Sequence, residues 1–133
     1  MEISVERVND MVAGSFAGTM GVEFTAVEAG RSVCRVNVEP RLHNPLGILH
    51  GGVPYTLADT GMAMALMPML DGGQPFSTIE IKMSHFRPVV AGEITCETRV
   101  LSKGRRIVYL ESEVRDATRL VAKATGTYYI KAD

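Results

Sequence analysis

The fold is decided by residues 43–66, which read HNPLGILHGGVPYTLADTGMAMAL. The first part of this stretch is rich in proline and glycine and has little periodicity, so it predicts a loop over residues 39–51. From Gly52 onward a helix is predicted, because Pro54 suits a first turn and Pro68 ends it. This helix is apolar on almost every side, so other elements must cover it at the centre of the fold.

Alternation of apolar and polar residues predicts strands on both sides of the helix. Before it, residues 22–26 and 34–38 alternate around a turn at residues 28–31, which predicts a hairpin. After it, four more stretches alternate: Ile79, Ile81 and Met83; Ile94 and Cys96; Val108, Leu110 and Val114; Leu120, Ala122 and Ala124. Their short connections predict an antiparallel meander of four neighbouring strands.

The N-terminal segment predicts a short amphipathic helix, because Val5, Val8 and Val12 recur at helical spacing. The predicted whole is therefore one α+β domain of residues 1–133, with a short helix, a hairpin, a long central helix and four strands. One helix covers only one face of a six-strand sheet, so we expect a second copy to protect the other face or an edge.

Composition excludes several classes of protein. The chain has 46% apolar and 22% charged residues and a net charge of -1, which excludes a disordered chain and a basic surface for nucleic acid or anionic membranes. The most apolar segment, residues 52–67, is too short to span a bilayer. The N-terminal stretch, residues 1–8, contains acidic residues and is unlike a secretory signal. Cys34 and Cys96 match no metal or disulfide spacing, so we expect reduced thiols and a cytoplasmic location.

Asp59 is the only charged residue between Arg41 and Asp71, and it lies in the middle of the helix that we expect to be buried. A buried carboxylate is costly unless it is neutralised or hydrogen-bonded. It could be structural, bonding a neighbouring backbone group. Perturbed carboxylates concentrate at functional sites, however, so we interpret Asp59 as a functional residue.

His50, Gly51 and Gly52 immediately precede the helix. Glycines let the backbone approach a ligand closely, and the first amides of a helix favour an anion or a developing oxyanion. Taken alone, the two glycines are better explained by ordinary turn geometry at the start of a helix. Asp59 follows Gly51 by eight residues, about 12 Å along a helix. If both act on one carbonyl, the amide must therefore come from one subunit and the carboxylate from its partner.

These residues carry a family resemblance. Asn44, Gly47, His50-Gly51-Gly52 and Asp59 resemble the signature of hotdog-fold acyl-CoA thioesterases of the phenylacetic-acid-degradation type, and residues 84–126 are similar to the later strands of that family. The resemblance covers residues 20–130 and implies an antiparallel six-strand sheet wrapped around one long helix. It also implies hydrolysis of an aryl- or medium-chain acyl-CoA to free acid and coenzyme A by a homodimer or homotetramer, with no separate cofactor. The histidines His43, His50 and His85 have no metal-binding spacing, so we expect no metal site.

The resemblance also implies roles for individual residues. Asp59 would be the nucleophile or the general base, and the Gly51 amide would polarise the thioester carbonyl. His50 and Asn44 would hold the loop and the carbonyl or water. Thr78 would orient the water, although an ordinary surface hydroxyl is an equal alternative.

Basic residues are candidates to bind the phosphates of coenzyme A, and apolar residues are candidates to bind the acyl group. The candidate phosphate ligands are Arg87, Lys103, Arg105 and Arg106. The last three share one turn, for which a solvated turn is an equal explanation. The acyl chamber is expected to be lined by Leu46, Leu49, Tyr55 and Met62.

Two other functions compete with hydrolysis. A hotdog-fold hydratase or dehydratase is suggested by His43-Asn44-Pro45, but the acid that such enzymes use is missing from this loop. A non-catalytic acyl-CoA-binding protein would not need Asp59. A thioester has a good leaving group, so one oxyanion donor worth about 3–4 kcal/mol and one carboxylate suffice for hydrolysis.

Overall fold

The computed structural model describes residues 2–131, so the predicted domain is described except for residues 1, 132 and 133. The helices and strands are α1 (Val5–Ala13), α2 (Phe16–Thr19), β1 (Glu23–Glu28), β2 (Arg31–Val38), α3 (Gly52–Leu66), β3 (Phe76–His85), β4 (Gly92–Lys103), β5 (Ile107–Arg115) and β6 (Leu120–Ile130). The predicted elements are all present, and the four-residue α2 is an addition. Pro68 lies in a short 3₁₀ turn, Met67–Met69, that follows α3.

The six strands form one antiparallel sheet in the order β1-β2-β4-β5-β6-β3. The predicted meander is correct for β4, β5 and β6 and wrong for β3, which pairs with β6 at the far edge. The reason is that α3, which follows the hairpin in the chain, packs against strands across the whole sheet, from β2 to β3. The chain therefore continues into β3 at one edge and returns to the centre for β4.

The helix α3 packs closely on the sheet, and eight of its 15 residues are buried. The expected cover on almost every side is present only toward the sheet, because Tyr55 is exposed. Met62 is fully buried, and a Cβ on Gly126 of β6 would collide with its thioether. The expectation that Met62 lines an acyl chamber is therefore wrong, because its side chain fills the space between α3 and β6. On the β2 side, a Cβ on Gly61 would lie 2.8 Å from Oγ1 of Thr98, so this glycine also permits the close approach.

Small polar side chains lie beneath α3. The Ser32 hydroxyl donates to the Gly61 carbonyl at 2.6 Å, which fixes the helix to β2. Cys34 and Cys96 are register partners on β2 and β4 and are both buried free thiols. Because these groups are buried and hydrogen-bonded, they define the height and rotation of α3 over the sheet.

A β-bulge interrupts β3. The register between β3 and β6 shifts between Thr78 and Glu80, so Thr78 turns toward α3 and Ile79 is 56% exposed. The simple alternation predicted that Ile79 faces the core, which is wrong because the bulge inserts one extra residue into the strand. Beyond the bulge, Ile81 and Met83 pack against the core as predicted.

The face of the sheet opposite α3 is charged. Cross-strand ion pairs join Arg31 to Glu97 at 2.7 Å and Lys123 to Glu111 at 3.2 Å. The outer edge of β3 pairs with no other strand within residues 2–131. None of the helices in that range is both long and apolar enough to cross a membrane.

Candidate active site

Asp59 is held by two hydroxyl groups of the sheet. Thr78 of β3 and Tyr128 of β6 are register partners, so their side chains lie next to each other on the face that meets α3. The Thr78 hydroxyl donates to Asp59 Oδ1 at 2.9 Å, and the Tyr128 hydroxyl lies 2.5 Å from the same oxygen. Asp59 Oδ2 accepts no hydrogen bond from residues 2–131. The carboxylate therefore has donors, as a half-buried charge requires, and keeps one oxygen available.

Tyr128 is the site residue that sequence reasoning missed. Its side chain is 1% exposed, its ring lies 6.2 Å from that of Phe76, and its hydroxyl also lies 2.8 Å from the backbone oxygen of Asp59. Burial, and then the hydrogen bond to Asp59, raise the pKa of Tyr128 well above its usual value of 10. The phenol therefore remains protonated and acts as a donor. The alternation along β6 predicts that the side chain of Tyr128 faces the core, but it does not predict which residue the hydroxyl contacts.

The start of α3 offers an amide that is not used within the chain. Gly51 is the N-cap, with φ -58°, and its N–H donates to no acceptor among residues 2–131. The next amide, that of Gly52, donates to Nδ1 of His50 at 2.8 Å. His50 therefore caps the start of the helix as an acceptor, and the Gly51 N–H takes no part in the hydrogen bonds of the described residues.

Asn44 builds the loop before α3. Its Oδ1 accepts hydrogen bonds from the amides of Leu46 at 2.9 Å and Ile48 at 3.3 Å. The backbone closes the same loop, since the Asn44 amide donates to the Ile48 carbonyl at 2.7 Å. The Asn44 Nδ2 group donates to no residue within the described part of the chain. Asn44 thus orders the loop with its oxygen and keeps its amino group for another partner.

A cavity of about 370 Å³ lies beside Gly51, at the start of α3. It brings together Asn44, Gly51, His85 and Arg87 with apolar walls that include Leu49. The His85 imidazole lies over the helix start, because a Cβ on Gly51 would be 3.3 Å from its Cε1 and 3.4 Å from its Nε2. Sequence reasoning did not select His85 for a role at the site, since its place at the end of β3 gives no sign of this contact.

A second groove of about 430 Å³ begins at the same helix start. Its lining includes His50, Val53 and two exposed aromatic side chains, Phe16 of α2 and Tyr55 of α3. Two of the residues expected in the acyl chamber, Leu49 and Tyr55, therefore line different cavities. A third, Leu46, is 84% exposed and lines neither.

The remaining expected residues lie outside these two cavities. Asp59 and Thr78 line neither cavity, so one chain does not unite the carboxylate with the Gly51 amide in either. The cations Lys103, Arg105 and Arg106 lie in the exposed β4–β5 turn region and also line neither. Within residues 2–131, no cluster of three or more His, Cys, Asp or Glu side chains could hold a metal ion.

Known proteins similar to this chain identify its family. The family model "Thioesterase superfamily" matches residues 46–123, more than half of the chain. The chain is 33% identical over 115 residues to the proofreading thioesterase EntH of Klebsiella pneumoniae, covering 86% of this chain and 84% of the relative. It is 28% identical over 100 residues to the 1,4-dihydroxy-2-naphthoyl-CoA hydrolase of Listeria monocytogenes, covering 75% and 81%.

Solved structures share the whole architecture. The crystal structure of thioesterase HI1161 from Haemophilus influenzae matches with a TM-score of 0.93 and 26% identity, covering 98% of this chain and 92% of that one. The expected six-strand sheet around one long helix is thereby confirmed, and the resemblance is confirmed at the level of the superfamily. The chain belongs to the thioesterase superfamily and is a hotdog-fold thioester hydrolase.

Proposed function

We propose that this thioester hydrolase acts on an aryl- or medium-chain acyl-CoA and releases the free acid and coenzyme A, in the manner of the phenylacetic-acid-degradation type. The observation that carries the proposal is the pair of unused groups on α3. Asp59 Oδ2 accepts no hydrogen bond within residues 2–131, and the Gly51 N–H donates none. The thioesterase-named relatives favour hydrolysis over the hydratase and over a non-catalytic binding protein.

The chemistry uses both groups. The Gly51 N–H donates to the thioester carbonyl oxygen as it becomes an oxyanion, which contributes about 3–4 kcal/mol. Asp59 Oδ2 either removes a proton from the water whose oxygen bonds to the carbonyl carbon, or attacks that carbon itself to form an anhydride that water then cleaves. In both routes the carbon–sulfur bond breaks, and the thiolate of coenzyme A leaves and takes up a proton.

The complete site requires two subunits. Asp59 and Gly51 lie on the same helix about 12 Å apart along its axis, which is too far for one carbonyl. The outer edge of β3 pairs with no other strand among the described residues 2–131, and β3 carries Thr78, next to Asp59. A homodimer joined across a two-fold axis at this edge would complement each Asp59 with the partner's Gly51, and a tetramer would be a pair of such dimers.

Coenzyme A would bind at the cavity beside Gly51. Arg87 lines this cavity, whereas Lys103, Arg105 and Arg106 do not, so we assign the phosphate contact to Arg87. The buried free thiols of Cys34 and Cys96 are typical of a reducing compartment and support a cytoplasmic location. Asn44 and His50 would keep the loop and the first turn of α3 in place around the substrate.

The test is thiol release from a panel of aliphatic and aromatic acyl-CoA substrates. Asp59→Asn removes the base without changing the shape of the side chain, and kcat should fall by about a hundredfold or more. Asp71→Asn, in the exposed turn after α3, is the matched control and should have normal activity. Full activity of Asp59→Asn, or binding of every acyl-CoA without thiol release by the wild type, would refute the proposal.

A further inference from the structure

We infer that Tyr128 is a positioning residue that fixes Asp59 Oδ1 and thereby selects Oδ2 as the reactive oxygen. The inference rests on the proposed role of Asp59. A carboxylate on a helix can rotate about its side-chain bonds and exchange its two oxygens. In this protein, two hydroxyls from adjacent strands converge on one of them, at 2.9 Å from Thr78 and 2.5 Å from Tyr128.

The two donors form one unit because of strand pairing. Thr78 and Tyr128 are directly opposite each other on β3 and β6, and the bulge after Thr78 turns its hydroxyl toward α3. Two donors to Oδ1 hold the plane of the carboxylate, so that Oδ2 has a defined direction. With either donor alone, the carboxylate could rotate about the remaining hydrogen bond.

Burial alone does not explain the Tyr128 hydroxyl. A buried phenol needs one acceptor, and the Asp59 backbone oxygen at 2.8 Å would supply it. The carboxylate is the closer acceptor and a charged one, so its hydrogen bond is the stronger. Phenylalanine could fill the same space against Phe76, so the hydroxyl serves Asp59 and not the packing.

The helix cannot shift to compensate for a lost hydroxyl. Ser32 is hydrogen-bonded to the Gly61 carbonyl from β2, and Gly126 of β6 is in close contact with Met62. These contacts fix α3 to both β2 and β6 within one turn after Asp59. The titratable groups that act on the Tyr128 hydroxyl are Asp59 and Tyr55.

The first experiment compares kinetics. Tyr128→Phe should lower kcat about tenfold or more with little change in KM, because a hydrogen bond to a charged group is lost. The acidic limb of its pH–kcat profile should move to higher pH, since the charged carboxylate has lost a donor. Thr78→Val should act in the same direction. Tyr109→Phe, an exposed tyrosine of β5, is the matched control and should be unaffected.

The second experiment does not depend on activity. The carboxyl carbon of Asp59 can be followed by ¹³C NMR during a pH titration of the wild type, Tyr128→Phe and Tyr109→Phe. A midpoint displaced to higher pH only in Tyr128→Phe supports the inference, and an unchanged midpoint overturns it. If Tyr128→Phe does not fold, the Tyr128 hydroxyl proton decides in proteins that keep the tyrosine. A far-downfield resonance in the wild type that moves upfield in Asp59→Asn supports the inference, and the same resonance position in both proteins overturns it.

The two proposals fail in distinguishable ways. A wild type that cleaves no acyl-CoA contradicts the proposed function, while the NMR titration still decides whether Tyr128 positions Asp59. An active wild type whose kcat and pH profile are unchanged by Tyr128→Phe contradicts only the positioning role. A lower kcat with an unchanged pH profile also overturns the inference, because a purely structural defect would produce that result.

Discussion

Oγ1 of Thr98 lies 2.8 Å from the position that a Cβ on Gly61 would occupy. At Gly61, about half a helical turn after Asp59, α3 therefore contacts β4 more closely than any residue other than glycine permits. Because Thr98 is itself buried and hydrogen-bonded to Ser112 at 2.6 Å, it has little room to move. The contact connects the packing of the core to the position of the proposed catalytic carboxylate.

Gly61→Ala should lower the free energy of unfolding by about 1–3 kcal/mol, because the added methyl overpacks the interface between α3 and β4. Chemical denaturation measures the change. Gly14→Ala is the control: Gly14 has φ -91° and nothing within 4 Å of an added Cβ, so its effect should stay within about 0.5 kcal/mol. Equal stability of the two variants would contradict the close packing.

Mixing two inactive variants should restore activity if the site is shared between subunits. Gly51→Pro removes the N–H at a φ of -58° that proline can adopt, and Asp59→Asn removes the base. Gly51→Ala is the control that adds a Cβ but keeps the N–H. A mixed dimer has one site with both groups intact, so thiol release should reappear after subunit exchange. No recovery in verified mixed dimers would place the site within a single chain.

Arg87→Ala should raise KM for an acyl-CoA and make KM less sensitive to salt, because a cation beside the cavity is lost. Kinetics at low and high ionic strength would show this. The triple variant Lys103→Ala, Arg105→Ala, Arg106→Ala tests the exposed turn in the same way. If it has the larger effect on KM, coenzyme A binds at the turn and the assignment to Arg87 is wrong.

Tyr128→Phe should flatten the alkaline dependence of stability. The pKa of Tyr128 is raised in the folded protein, first by burial, from a usual value of 10. Above pH 10 the unfolded chain therefore loses the phenol proton while the native state keeps it. The free energy of unfolding then falls as pH rises, and this contribution is absent in the phenylalanine variant. Urea denaturation at about pH 9 to 11 compares the two proteins, and identical slopes would contradict the prediction.

Local patterns were sufficient to predict most of the fold. The apolar run from Gly52 predicted α3, and period-two alternation predicted every strand, because these signals depend on neighbours in sequence. The position of β3 could not be predicted in this way. Pairing between β3 and β6 joins residues about forty or more apart in the chain, and the bulge at Ile79 depends on that pairing.

The candidate site was also predicted in part from local sequence and decided in part by long-range contacts. Sequence alone determined that one carboxylate, Asp59, lies on an apolar helix and that a His-Gly-Gly entrance precedes it, because spacing along one helix is fixed by its rise per residue. Tertiary structure alone decided that Tyr128 and Thr78 share one oxygen of Asp59, and that His85 covers Gly51. These contacts form only when distant strands meet α3, and no local periodicity encodes which strands those are.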